Sequence, residues 1–310
     1  MSSPIGIKVS TRRQNIAFGR MSWLTALRLG RVSNIPTVWT NVLAGIVLSG
    51  AAVTVRPTIL LLLSLSLFYI AGMFLNDAYD RDFDANNRPD RPIPAGDVAA
   101  ATVFAYGFAL LACGFFLLLA LTYPITADAG WQALFAGLLL AGAIVLYDRW
   151  HKQNPLSPLL MGLCRFLAYL TAGLAMTSAV PGQLVIAAIV SLSYLIGLTY
   201  VAKQESLRQI KNLWPLLFLA VPFVYGFHFI TGGVATVVLY VMLLIAVIVA
   251  LLFLFRPNTP DVPHAVMLLI AAISLLDGLF MAAQGQPLLA AAAVAAFLLT
   301  LFLQRFIAGT

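Results

Sequence analysis

The sequence is poor in charged residues. Of its 310 residues, 9% are Asp, Glu, Lys or Arg, and 62% are hydrophobic. An ordinary soluble domain carries about 25% charged residues. A soluble protein of this size cannot bury so much apolar surface in one core, so a water-soluble enzyme is excluded. The same composition excludes a disordered chain and fits a protein that is dissolved in a lipid bilayer.

Cysteine is scarce as well. Cys113 and Cys164 both lie inside apolar runs, and no CxxC pair occurs. Two such cysteines form no disulfide framework and indicate neither zinc binding nor redox chemistry. We interpret both as small core residues.

Long apolar runs are what the sequence has in abundance. Ten of them are about 20 residues long, which is enough for a helix to cross a hydrocarbon layer of about 30 Å. Strands of a membrane barrel would be about half as long and would alternate in polarity. The pattern predicts an all-α fold, a polytopic membrane helical bundle of ten transmembrane helices. The runs cover residues 35–55, 57–79, 98–121, 130–147, 155–178, 182–201, 212–231, 233–255, 262–284 and 287–306.

The basic residues support one orientation of this bundle. If the N-terminus is cytoplasmic and the runs alternate, all 18 Lys and Arg residues except Arg56 fall on the cytoplasmic side, as the positive-inside rule requires. The net charge of +7 therefore reflects topology, and we expect no nucleic-acid partner. We predict a multi-pass protein of the inner (cytoplasmic) membrane, with both termini in the cytoplasm.

The N-terminal part differs from the rest. Residues 1–33 are polar and basic, and we predict that they form a cytoplasmic segment ahead of a transmembrane domain at 34–310. Within that segment, residues 16–29 mix apolar side chains with arginines. Two interpretations stay open, an amphipathic helix on the membrane surface and a plain basic flank of the first span.

Six of the eleven acidic residues crowd into the segment that follows the second run. If the second helix continues through this segment, three of them share an arc of about 60°, and Asp82 points to the opposite side. Three carboxylates at a helix end suit Mg²⁺, which prefers oxygen ligands and often shares its coordination shell with substrate phosphates. The three that share the face are Asp77, Asp80 and Asp84.

The string NDAYDRDFDANNRPDRPIPAG at 76–96 resembles the first signature of the UbiA superfamily of intramembrane prenyltransferases, NDxxDxxxDxxxxxRPxxxG. The segments RVSNIPTVWTNVLAG and GLTYVAKQES are similar to the EboC-like branch of that superfamily. The resemblance implies a prenyltransferase domain at 34–310, with Mg²⁺ as cofactor. Typical members of the superfamily have nine transmembrane helices, so we expect a UbiA-like bundle of nine to ten. The resemblance assigns Asp77, Asp80 and Asp84 as catalytic, metal-binding residues, and Asn76, Arg88 and Arg91 as ligands of a donor diphosphate, which arginine forks match well.

A second family motif, of the YxxxK type, is matched loosely after the fourth run. In the motif the lysine lies four positions after the tyrosine, whereas here Lys152 lies five positions after Tyr147. The resemblance implies that Lys152 binds the diphosphate and that Tyr147 and Asp148 lie at the substrate. The alternative is a local ion pair between Asp148 and Lys152, which stand at i, i+4.

Three further residues are assigned to substrate binding. Arg165 lies within the fifth run, where a buried arginine requires an anionic partner. Asn41 resembles the family's polar residue near the substrate, although a hydrogen bond between helices explains it nearly as well. Tyr200, like Phe74 and Tyr79, is an aromatic residue expected to stabilise a developing allylic cation.

The family's second signature, of the DxxxD type, is altered. An internal offset of 128 residues aligns Ala44-Gly45 with Ala172-Gly173, and Asn76-Asp77 with Gln204-Glu205. The same offset places Arg208 where the first half has Asp80. We therefore predict that Glu205 joins the metal site and that Lys203 and Arg208 contact the diphosphate.

Together these features predict a Mg²⁺-dependent membrane prenyltransferase with its active site facing the cytoplasm. Its partners would be a prenyl diphosphate, a lipophilic and most simply aromatic acceptor, and the lipid bilayer. The altered second signature keeps an alternative open, a non-catalytic carrier or transporter of an isoprenoid or aromatic lipid. A CDP-alcohol phosphotransferase would need a different element after the first aspartate than Arg81-Asp82-Phe83-Asp84.

Overall fold

The computed structural model describes residues 21–123, 130–152, 154–207, 213–257 and 259–309, with the backbone alone at 205–207. Helices account for all the regular structure of these residues, as the composition predicts. Their bounds agree closely with the ten apolar runs. They are α1 (Trp23–Leu29), α2 (Ile35–Leu48), α3 (Val55–Tyr79), α4 (Arg81–Asn87), α5 (Ala100–Thr122), α6 (Trp131–Trp150), α7 (Ser157–Leu174), α8 (Gly182–Leu207), α9 (Val221–Gly226), α10 (Val234–Leu254), α11 (Val262–Ala283) and α12 (Pro287–Leu303).

Proline fixes several of the helix starts. Pro36, Pro158, Pro263 and Pro287 each occupy one of the first two positions of a helix, where the missing N–H costs nothing. The seventh apolar run behaves differently. It folds as a 3-10 helix (Trp214–Ala220), the short α9 and a second 3-10 helix (Phe227–Gly232), because prolines interrupt it.

Eight of the helical segments are long and apolar enough to cross a membrane. Two shorter apolar helices, Val32–Leu48 and Pro287–Leu303, stand at the predicted first and tenth runs. The first of these is shorter than its run because α2 ends at Leu48, and Gly50 then turns the chain with φ +77°. The number of spans therefore stays a prediction, whereas the all-helical membrane bundle is confirmed.

Helix α2 packs against both α7 and α11, and side chains of α7 reach Asp277 of α11. Gly45 on α2 and Gly173 on α7, the residues aligned by the internal offset, touch at this contact. A second pair with the same separation also meets, because Arg165 donates a hydrogen bond to the carbonyl oxygen of Thr37. Contacts between equivalent residues of two halves are the pattern that a two-fold relationship produces.

One end of the bundle gathers the segments that carry the motifs. The loop after α6 reaches the end of α3, and Lys203 of α8 donates to the carbonyl oxygen of Asn154 in the loop after α6. The end of the described chain lies here too. Asn34 donates to the Gly309 carbonyl oxygen at 2.9 Å and accepts a hydrogen bond from Gln304.

Candidate active site

A cavity of about 1100 Å³ opens inside this end of the bundle. Charged residues from α3, α4, α6 and the loops line its mouth, and apolar side chains line its interior. The cavity therefore offers one charged and one apolar compartment. The apolar lining includes Leu65, Phe68, Leu140, Ile144, Val266 and Ile270.

The carboxylates of the first signature lie along one wall of the cavity. The chain passes from α3 into α4 through Asp80, which keeps helical dihedral angles (φ −81°, ψ −4°). Asp77, Asp80 and Asp84 are therefore all buried and line the cavity. The side chain of Asp82 is 86% exposed, as expected from its position on the other side of the helix.

Asp77 is held by two arginines. The Arg31 guanidinium lies 3.1 Å and that of Arg91 3.4 Å from its Oδ1. Arg31 has a left-handed backbone, with φ +41°, and is the one such non-glycine residue within the described ranges. A strained conformation of this kind persists when surrounding contacts fix it. In the sequence, Arg31 contributes a topological charge and begins the segment RVSNIPTVWTNVLAG, but nothing there predicts its contact with Asp77.

Asp80 is held by the end of α6. Lys152 Nζ lies 2.8 Å and His151 Nε2 3.3 Å from its Oδ2. Burial alone would raise the pKa of Asp80, but the hydrogen bonds and charges of His151 and Lys152 outweigh burial and lower that pKa. The His151 ring stacks on Tyr147, with 4.8 Å between the ring centroids. His151 is thus a cavity residue that the motif comparison did not assign.

Asp84 has no hydrogen bond or ion pair among the described side chains, although only 3% of the residue is exposed. Burial raises the pKa of Asp84, and the neighbouring Asp80 carboxylate adds to this effect. A buried carboxylate without a cationic partner is energetically costly in the folded chain. Arg88, which follows α4, also lines the cavity near this residue.

The predicted alternative for Asp148, an ion pair with Lys152, is wrong, because Lys152 reaches Asp80 instead. Asp148 Oδ1 accepts a hydrogen bond of 3.2 Å from the Asn76 amide. Its other oxygen, Oδ2, is buried without a partner. The first signature and the second motif are therefore joined through Asn76 and Asp148.

The anionic partner that Arg165 requires is Asp277 of α11. The Arg165 guanidinium lies 2.9 Å from Asp277 Oδ2, and Asp277 is fully buried. Tyr169 and Thr40 also donate hydrogen bonds to this carboxylate. Arg165 lines the cavity, and its counter-ion Asp277 lies behind it, outside the cavity lining.

Asn41 lies on α2, one helical turn after Thr37, whose carbonyl oxygen accepts the hydrogen bond from Arg165. It lines the cavity and is 1% exposed. Neither its amide nitrogen nor its amide oxygen has a hydrogen-bond partner. The predicted alternative, a hydrogen bond between helices, stays open, because Tyr169 of α7 lies close enough to interact with the Asn41 amide.

The aromatic residues that were predicted to stabilise the allylic cation do not line the cavity. Tyr200 does not line it, whereas Thr199 and Lys203 of the same helix do. Tyr79 packs edge-on against Phe104 instead, and Phe74 lies in a separate small core. The rings that line the cavity belong to Phe68, Tyr69, Phe83 and Tyr147.

Only part of the second signature can be located. Lys203 lines the cavity, and Gln204 is buried and donates to the carbonyl oxygen of Tyr200. The side chain of Glu205 and the whole of Arg208 lie outside the described residues. Their predicted roles stay predictions.

The donor set fits Mg²⁺ that is bound together with a phosphate group. Asp77, Asp80 and Asp84 offer only oxygen ligands, which suit this ion. Within the described ranges, no three Asp, Glu, His or Cys side chains are grouped closely enough to hold a metal ion by themselves. Mg²⁺ is typically bound by one or two carboxylates plus substrate phosphates, so a complete protein cage is not required.

The fold and the cavity define a class of protein, a helical membrane protein with a polar chamber that opens at one membrane surface and continues into an apolar interior. The sequence profile of the UbiA prenyltransferase family matches residues 35–259. The chain belongs to this family.

Individual relatives match shorter stretches. The chain is 36% identical over 94 residues to the digeranylgeranylglyceryl phosphate synthase of Methanoculleus marisnigri, which covers 30% of this chain and 33% of that protein. It is 26% identical over 130 residues to the 4-hydroxybenzoate octaprenyltransferase of Idiomarina loihiensis, covering 41% and 42%. The chain thus spans about a third to two fifths of the length of these curated relatives.

Solved structures share the fold over most of the chain. The apo structure of a UbiA homolog from Aeropyrum pernix K1 aligns with a TM-score of 0.64 and 15% identity, covering 86% of this chain and 96% of that one. A structure described for digeranylgeranylglyceryl phosphate synthase aligns with a TM-score of 0.58 and 20% identity, covering 84% and 97%. At these identities the likeness establishes the fold.

Proposed function

We propose that the protein is a Mg²⁺-dependent membrane prenyltransferase that transfers an isoprenoid group from a prenyl diphosphate to a lipophilic acceptor. The observation that carries the proposal is the cavity. Buried carboxylates and cations meet at its mouth, and apolar walls begin one helical turn further in. This arrangement matches the shape of a prenyl diphosphate, which has a charged head and a hydrocarbon tail.

The mouth would bind the diphosphate by an exchange of partners. Arg31 and Arg91 now pair with Asp77, and Lys152 and His151 contact Asp80. With donor bound, these groups would turn their N–H donors to phosphate oxygens. Asp77 and Asp80 would then be available, together with Asp84, to hold Mg²⁺. Magnesium, when bound, supplies positive charge against the departing diphosphate. Asn76, Arg88, Lys203, Arg208 and Glu205 complete the set that we assign to this end.

The interior would bind the tail and the acceptor. Phe68, Leu140 and Ile144 offer an apolar channel, and exclusion of water there protects an allylic cation from premature capture. Asn41 offers an amide with both hydrogen-bonding atoms unpartnered, and Arg165 offers a cation held in place by Asp277. We assign these two residues, with Tyr147 and Asp148, to the substrates.

The acceptor class follows from chemistry that the relatives share. Glyceryl phosphate and 4-hydroxybenzoate, in the names of the relatives, are both hydroxyl compounds. We propose an acceptor with a hydroxyl group, aromatic or glycerol-based. We propose that the mouth of the cavity faces the cytoplasm and that the membrane is the inner membrane, which the distribution of Lys and Arg residues supports.

The test uses purified protein in detergent with dimethylallyl, geranyl, farnesyl and geranylgeranyl diphosphates. We expect Mg²⁺-dependent release of pyrophosphate from at least one donor, lost in Asp80→Asn and kept in Asp82→Asn. Asp82 is the matched control because it lies on the same short segment but faces solvent. Tight donor binding by wild type with no pyrophosphate release, even with acceptors added, would support the carrier and contradict the enzyme.

A further inference from the structure

Four carboxylates line the cavity within the described residues, and one of them lies outside the first signature. Asp77 and Asp80 each contact two basic side chains, and Asp84, which contacts none, belongs to the predicted metal ligands. Asp148 has no cationic partner in the described structure, and its Oδ2 has no hydrogen bond. It is also only 4% exposed.

The position of Asp148 is as distinctive as its environment. On α6 it lies one turn before His151 and Lys152, which contact Asp80. Its partner Asn76 lies one turn before Asp80 on α3. Both helices therefore place Asp148 about 5 Å further into the membrane than Asp80 and its partners His151 and Lys152. Tyr147, directly before Asp148 on α6, also lines the cavity, and the cavity residues one and two turns further in are the apolar Ile144 and Leu140.

This position coincides with the place where the two substrates would react. A donor whose diphosphate lies among Asp77, Asp80 and their cations directs its first carbon inward, to the level of Asp148. The Asn76 amide fixes one carboxylate oxygen, which leaves the lone pairs of Oδ2 available. A fixed carboxylate with a free oxygen, beside an apolar chamber, has the properties of a general base.

We propose that Asp148 accepts the proton that the acceptor's hydroxyl group loses during transfer. This role rests on the proposed function. The bond between the allylic carbon and the diphosphate oxygen breaks, and its electron pair leaves with the diphosphate. The acceptor oxygen, or in a phenol the conjugated ring carbon, forms the new bond to that allylic carbon. The proton released from the hydroxyl goes to Oδ2. In a phenol, the hydrogen on the alkylated ring carbon then moves to the oxygen and restores the hydroxyl group, so one proton is released in total and no further reactant is needed.

The experiment separates donor binding from transfer. Wild type, Asp148→Asn and Asp148→Glu are compared in three assays. Binding of geranylgeranyl thiolodiphosphate with Mg²⁺ is measured by calorimetry. Release of pyrophosphate from geranylgeranyl diphosphate is measured without an acceptor. Transfer is measured with two probes, 4-hydroxybenzoate and geranylgeranylglyceryl phosphate.

We expect Asp148→Asn to change donor affinity and acceptor-free release by less than about threefold, and to slow transfer at least about 100-fold, the usual effect of losing a general base. Asp148→Glu keeps a carboxylate and should recover a large part of the transfer rate. With the more acidic phenol 3-fluoro-4-hydroxybenzoate, the deficit of Asp148→Asn should shrink, which a purely structural defect would not cause.

Several results would refute the role of Asp148. Transfer by Asp148→Asn at the wild-type rate removes it from the reaction, and a donor affinity weakened more than tenfold assigns it to the metal and diphosphate instead. Should Asp148→Asn fail to fold, Asp148→Ser replaces it in the same three assays, with the same refuting results. A wild type that releases pyrophosphate but prenylates neither probe refutes the hydroxyl acceptor and this role with it. No release at all contradicts the proposed function itself.

Discussion

Gly45 on α2 and Gly173 on α7 pack against each other. If Gly173 carried a Cβ atom, that atom would lie 3.1 Å from the Gly45 carbonyl oxygen. A Cβ on Gly45 would lie 2.9 Å from the Cβ of Ala172. The two helices can approach this closely only because both positions lack a side chain. The wall of the cavity that carries Asn41 and Arg165 depends on this contact.

Alanine at Gly45 is therefore expected to destabilise the protein. The added methyl group forces α2 and α7 apart, and overpacking of this kind costs about 1–3 kcal/mol. Thermal unfolding in detergent measures the effect. Gly142→Ala is the matched control, because a Cβ there meets nothing within 4 Å. Equal melting temperatures for the two variants would show that the helix contact is looser than described.

Replacement of Asp84, which faces the cavity, should affect donor binding, whereas replacement of Asp82, on the opposite side of α4, should not. Asp84→Asn is expected to weaken Mg²⁺-dependent binding of a thiolodiphosphate donor at least about tenfold, or about 1.4 kcal/mol, because a buried oxygen ligand is lost. Asp82→Asn should leave the affinity unchanged, since that side chain is solvent-exposed. Calorimetry at fixed Mg²⁺ provides the measurement, and equal losses in both variants would contradict the helical-face interpretation.

Asp84→Asn should also stabilise the protein without ligand at neutral pH. The pKa of Asp84 is raised by burial and by Asp80, so the folded state binds the proton more tightly than the unfolded state does. Ionised Asp84 therefore opposes folding at any pH above its folded pKa, and this penalty disappears below its unfolded pKa. The melting temperature of Asp84→Asn should exceed that of wild type at pH 7 and converge with it in acid. A lower melting temperature at pH 7 would show that Asp84 has a stabilising partner.

Loss of Asp277 should be more damaging than loss of a surface acid. Asp277→Asn leaves Arg165 buried without a counter-ion, which costs about 3–5 kcal/mol. The double variant Arg165→Met, Asp277→Asn removes both charges and should recover a large part of the stability. Asp261→Asn is the control, because its pair with His264 is largely exposed and such pairs contribute about 1 kcal/mol or less. Additive losses in the double variant would contradict the pairing.

Topology can be tested by cysteine labelling in a background without Cys113 and Cys164. An impermeant maleimide added to intact cells should label Val180→Cys, at the turn between α7 and α8. It should label Asn86→Cys and Thr310→Cys only after the membrane is opened, because ten spans place both on the cytoplasmic side. Labelling of Thr310→Cys from outside would overturn the ten-span arrangement.

The sequence predicted the helices well, because each apolar run has the length that a membrane requires. It also predicted that Asp77, Asp80 and Asp84 share one face, because helical periodicity fixes their relative directions. It did not predict the faces of the other helices. A membrane helix such as α8 is apolar all round, so nothing in the pattern shows whether Tyr200 or Thr199 points inward. The partners Asp277 and Arg31 were missed for another reason. They lie 112 and 46 positions from the residues they contact, and only the packed bundle brings them together.

Gly309 leaves no room for a side chain. It lines the cavity, and a Cβ at this position would lie 2.8 Å from Asn34 Oδ1. Any other residue there would displace Asn34 and, with it, Gln304, which donates a hydrogen bond to Asn34. Exchange of this glycine for alanine, far along the chain from every motif, would therefore change the shape of the chamber.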